Sequence, residues 1–101
     1  MKRRLIFSSN AKRQIAEAVL HYEAKEPGLG RRFWNELKDR LGLAREHPEL
    51  YRKVKGRYRR VFMHKYQHAA YFEASDKEIV ILLVLHASRH PARWQKKLRE
   101  D

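Results

Sequence analysis

Ile79-Val80-Ile81-Leu82-Leu83-Val84-Leu85 is the longest uninterrupted apolar run in the chain, seven residues with no polar member. A membrane-spanning helix needs about 20 apolar residues, so the run is far too short to cross a bilayer. Its β-branched content and its length point instead to a strand buried on both faces. Such a strand is central in its sheet, and the rest of the sequence must supply neighbours and two covers.

Upstream of the run, Ser75-Asp76-Lys77-Glu78 reads as a turn, preceded by a strand through Ala69, Ala70, Tyr71 and Phe72. His64-Lys65-Tyr66-Gln67 makes a further turn, and before it Tyr58, Arg60, Phe62 and His64 alternate with Arg59, Val61 and Met63 in a period of two. Before Pro48 the period is helical. Phe33, Trp34, Leu37, Leu41 and Ala44 form one apolar stripe that Pro48 closes after Glu46-His47, while Ala11, Ile15, Ala18, Val19 and Tyr22 form another. Ser9 or Asn10 is expected to cap the first helix, and Pro27-Gly28-Leu29-Gly30 to end it, both glycines permitting the reversal. Leu5-Ile6-Phe7 is a short opening strand, and His90 to Leu98 a short closing helix with Pro91 in its first turn and Trp94 and Leu98 one turn apart. The expected fold is α+β: one domain over residues 1–101, a helical hairpin packed on a mainly antiparallel twisted sheet of about four strands, with a short C-terminal helix.

The 101 residues carry 24 Lys and Arg against 12 Asp and Glu, a formal charge of +12, with 43% hydrophobic and 11% aromatic residues. That apolar content supports a core and argues against wholesale disorder. There is no cysteine, which removes disulfides, thiolate nucleophiles and cysteine-based zinc sites and fits a reducing cytoplasm. Met1-Lys2-Arg3-Arg4 resembles the start of a signal peptide, but only Leu5-Ile6-Phe7 follows before polar residues, too little for export. Arg52, Lys53, Lys55, Arg57, Arg59, Arg60 and Lys65 fall between Tyr51 and Phe72 with no acidic residue among them. Interleaved with Tyr58, Phe62 and Tyr66, they suit either a solvated basic face or a surface for a polyanion or an acidic protein.

The chain resembles the RelE/ParE superfamily of bacterial type II toxins, and most closely its ParE-like branch. The resemblance is carried by Tyr22 with Pro27-Gly28-Leu29-Gly30-Arg31-Arg32-Phe33, by Tyr58-Arg59-Arg60-Val61, by Ala70-Tyr71-Phe72, and by Val84-Leu85-His86-Ala87-Ser88-Arg89-His90-Pro91-Ala92-Arg93-Trp94. It implies a toxin neutralised by a cognate antitoxin, ParD-like or another acidic helical partner, whose complex alone would contact operator DNA. ParE-like members poison DNA gyrase, whereas RelE-like members cut messenger RNA on the ribosome. One fold serves both, so the fold does not choose between them, and a nucleic-acid-binding module without toxicity is a third reading.

For a gyrase inhibitor no catalytic residue is expected, and the target-binding surface falls to Arg59, Arg60, His86, Arg89, Arg93 and Trp94. A metal-independent ribonuclease needs a base, an acid and a cation, for which Arg60, His68, His86 and Arg89 are the candidates. RelE-like nucleases carry an arginine in the second hairpin strand and a tyrosine near the C-terminal end. The matching neighbourhoods here hold His68 and Trp94, and an indole cannot transfer a proton as a phenol does. Antitoxin contacts are expected at Tyr22 and Trp34 on the hairpin and at Arg57, Tyr58 and Tyr71 on the sheet. Arg59 and Arg60 must point to opposite faces of their strand, and whichever is buried needs a carboxylate, for which Glu73 is the candidate. His86 has a plainer reading as a histidine satisfied by a backbone partner at the sheet edge. No cofactor or metal is expected: the His64/His68 and His86/His90 spacings lack a helix and a third ligand, and no glycine-rich phosphate loop is present.

Overall fold

The computed structural model describes residues 2–88. In chain order these are β1 (Arg4–Phe7), α1 (Ser9–Lys25), α2 (Leu29–Glu46), a 3-10 turn at Pro48–Leu50, β2 (Lys53–Lys55), β3 (Tyr58–Met63), β4 (His68–Ala74) and β5 (Glu78–His86). The sheet has five strands in the order β1-β5-β4-β3-β2. It is antiparallel except that β1 runs parallel to β5, with Leu5 opposite Ile79 and Phe7 opposite Ile81. The additional strand is β2, three residues whose lysines gave no alternation to read. The expected closing helix, with Arg89, Arg93 and Trp94, lies outside the described residues.

The helical hairpin covers one face of the sheet. Phe33, Leu37 and Leu41 of α2, with Ala11, Ala18 and Tyr22 of α1, bury against Val61, Met63, Phe72, Ile79, Ile81 and Val84. Each fully buried Leu, Ile or Phe side chain contributes about 1.5–3 kcal/mol. On the opposite face Ala69, Tyr71, Leu82, Leu83 and Leu85 form a second cluster with Val54, Tyr58, Phe62 and Val80 at its margin. The long apolar run thus serves both clusters, as its composition requires.

Strict alternation along β5 fails at one point. Tyr71 pairs with Leu83 but Phe72 pairs with Ile81, so Leu82 is an extra residue that turns both Leu82 and Leu83 to the second cluster. β1 ends beside this bulge, and α1 takes over its edge. Ser8 donates its backbone N–H to the Ile81 carbonyl at 2.9 Å and its hydroxyl to the Leu82 carbonyl at 2.8 Å. Gln14, buried on α1, accepts the Val84 N–H at 2.8 Å. Ser8 is also the cap of α1, accepting the Ala11 N–H at 3.0 Å, which corrects the expectation of Ser9 or Asn10. Both of those residues are already helical, and Ser8 is the one left in an extended conformation.

The reversal between the helices uses only one of its two glycines. Gly28 has φ +88°, the left-handed region, and caps α2. Gly30 is inside α2 and buried, where a Cβ would stand 2.6 Å from the Val19 carbonyl oxygen. Its role is close approach of the two helices. The Glu23 carboxylate accepts the N–H groups of Gly28 at 2.9 Å and Gly30 at 3.1 Å, so α1 supplies the charged cap that α2 lacks.

Candidate functional site

At the end of the sheet where β4 begins and β5 finishes, a cavity of about 420 Å³ is lined by Gln14, Glu17, Ala18, His21, His68, Val84, Leu85 and His86. His68 and His86 are partners in the β4–β5 register, with their rings 5.2 Å apart and nearly perpendicular. The Tyr22 hydroxyl donates to the Tyr66 carbonyl at 2.7 Å, and His68 Nδ1 lies 3.0 Å from both that carbonyl and that hydroxyl. A carbonyl can only accept, so His68 Nδ1 carries the proton and Nε2 keeps its lone pair. The reverse holds at His86. Its Nδ1 accepts the Ser88 N–H at 3.0 Å, leaving the proton of the neutral ring on Nε2. This is the backbone partner the sheet edge was expected to provide.

Burial lowers the pKa of His68, and the neighbouring His86 and His21 charges lower it further against the opposing Tyr66 carbonyl. The Tyr22 phenol is pushed up, first by burial and then by Tyr66. Both shifts favour the neutral forms of His68 and Tyr22. The β3–β4 turn secures the cluster from outside, because Gln67, held at φ +53°, accepts the Ala87 N–H through its carbonyl at 2.7 Å.

Arg59 and Arg60 do point to opposite faces, but neither uses Glu73. Arg59 donates to the Tyr51 carbonyl at 2.8 Å. Arg60 bonds Tyr71, lowering a phenol pKa that burial otherwise raises, and stands over the Phe62 ring. Glu73 is taken by Arg57 at 3.0 Å, and Arg57 also stands over Tyr58. Arg60 lies on the second face of the sheet, His68 and His86 on the helical side of it.

Of the residues expected to meet an antitoxin, Tyr22 and Tyr71 are buried, 8% and 5% exposed, so their side chains hold the fold and offer little surface. Trp34 is half-buried and lines a groove of about 550 Å³ with Val19, Glu23, Gly28, Gly30 and Arg31. Arg57 is exposed and Tyr58 half-buried. The sequence reading missed Gln14, Glu17 and His21. They run with Ala18 at i, i+3, i+4 and i+7, a polar seam beside the apolar stripe that could have been read from helical spacing.

No curated protein matches the chain. Among solved structures it resembles one described as a chromosomal ParDE toxin–antitoxin system from P. aeruginosa, with a TM-score of 0.72 and 15% identity over 84% of this chain and 96% of that one. That likeness is one of fold. The family model for the ParE toxin of the type II toxin–antitoxin system parDE matches residues 5–91. With the hairpin-on-sheet architecture and most of the chain inside that match, the protein belongs to the ParE toxin family of type II toxin–antitoxin systems.

Proposed function

We propose that this ParE-type toxin arrests growth in the cytoplasm by binding DNA gyrase and stalling it on cleaved DNA, and that a cognate acidic antitoxin neutralises it. The observation that favours this over RNA cleavage is the division of the candidate nucleolytic groups among the described residues, Arg89 lying outside them. His68 and His86 share the cavity beside α1, while Arg60 is across the sheet, bonded to Tyr71 and facing Phe62. A phosphorane needs its cation within hydrogen-bond reach of the acid and base, and a sheet stands between them.

The antitoxin is drawn to the +12 charge, and its apolar anchor enters the groove floored by Val19, Gly30 and Trp34. Operator DNA is reached through the antitoxin complex. The test is purified toxin in a gyrase supercoiling reaction, read for lost supercoiling and for accumulated cleaved DNA, beside an in vitro translation reaction. Gyrase inhibition with intact translation is expected. Untouched gyrase with a cleaved messenger would reverse the assignment and make His68 and His86 the acid–base candidates.

A further inference from the structure

The β2–β3 hairpin gathers four cations, of which the fold pairs one with a carboxylate. Arg52, Lys53, Lys55 and Arg57 follow one another along the β2 edge of the sheet and around its turn at Gly56, which takes φ +53°. Arg52, Lys53 and Arg57 are exposed and Lys55 half-buried. Among the described residues only Arg57 has a carboxylate partner, Glu73. On the helices three of the arginines, Arg13, Arg32 and Arg40, are matched by Glu17, Glu26 and Glu36. An edge strand of lysines discourages sheet-to-sheet pairing, but that role alone does not need arginines on both flanks.

We infer that this edge is a contact for the phosphate backbone of duplex DNA, engaging the DNA held by the toxin's target. The link to the target rests on the gyrase reading above; the contact itself does not. Three features select the occupant. The cations are consecutive along an exposed edge, which suits a line of phosphates. Tyr58 and Phe62, the aromatic rings beside them, are half-buried and already faced by Arg57 and Arg60, so they are poor platforms for the unstacked bases of a single strand. An acidic helical partner needs an apolar socket as well as charge, and the groove with Trp34 is on the helical hairpin, lined by none of the edge residues.

The test is fluorescence anisotropy of the purified toxin with a short labelled duplex of arbitrary sequence, over a range of salt concentrations and without gyrase. Four phosphate contacts give a slope of log K against log salt of about −3 to −4. The Lys53→Gln/Lys55→Gln variant should reduce that slope by about 2. Lys12→Gln/Lys25→Gln, which removes the same charge from α1, should leave it nearly unchanged. Equal losses from the two variants would show a general field effect and overturn the inference. So would a hairpin variant that keeps its DNA slope but loses affinity for an acidic antitoxin peptide. Circular dichroism of each variant separates either result from misfolding. If the salt slope follows the hairpin while gyrase is unaffected, the DNA contact stands and the gyrase reading falls.

Discussion

At the scale of single residues, Ser8 joins three functions in two atoms: cap of α1, donor to the bulged β5 edge, and continuation of the β1 ladder. Ser8→Ala should cost about 1–2 kcal/mol, because the cap and the donor to the Leu82 carbonyl are lost together. A denaturant midpoint at unchanged slope measures it, and a loss within error would remove Ser8 from this role. His68 makes the second prediction. Its pKa is lowered in the fold, so below its ordinary value of 6.5 the unfolded chain takes up a proton that the native ring resists. Stability should therefore fall as pH drops below about 6.5 and continue falling until the native ring titrates. The groups facing it are Tyr22 and His21 on α1, Tyr66 before β4 and His86 on β5. His68→Gln should flatten this part of the stability profile, measured by urea unfolding between pH 7.5 and 5.5. The sequence showed His68 and His86 as candidates, but not that they face each other. Their meeting depends on the β4–β5 register, and the bulge at Leu82 shifts that register by one residue.

At the scale of elements, the hairpin is held by a glycine without room and a carboxylate with two donors. Gly30→Ala should destabilise by about 1–3 kcal/mol, since the obstructing atom is the Val19 backbone oxygen and a backbone cannot rotate aside. Thermal unfolding reads this directly, and a tolerated alanine would mean the helices separate at little cost. Gln14→Leu should cost a similar amount, about 1–3 kcal/mol, by stranding the buried Val84 N–H. Helices, turns and the strands β3 to β5 were legible because their apolar periods are strong and their ends carry proline, glycine or polar clusters. β2 was not, being three residues that alternate lysine and valine between Arg52 and Gly56. The parallel partner of β1 was also illegible, since nothing local in Leu5-Ile6-Phe7 states which strand it will join. Arg57 and Glu73 illustrate the same limit: the carboxylate was identified, but hairpin geometry decided which arginine received it.

At the scale of the whole molecule, the charge of +12 governs encounter more than final affinity. The association rate with an acidic antitoxin should fall steeply as salt is raised while the dissociation rate changes little, as stopped-flow mixing would show. An association rate indifferent to salt would mean that apolar docking at the Trp34 groove controls capture. The sheet has a consequence for time as well as for structure. β1 is the first strand to leave the ribosome, and its neighbour β5 is the last of the five, with Arg4 opposite Glu78. Until β5 emerges, β1 has no partner, the α1 seam has no edge to bind, and His68 has no His86. Contacts of such long sequence separation form late. Between the emergence of β1 and that of β5 the nascent toxin therefore lacks its completed sheet, which gives an antitoxin already present the chance to meet it as it folds.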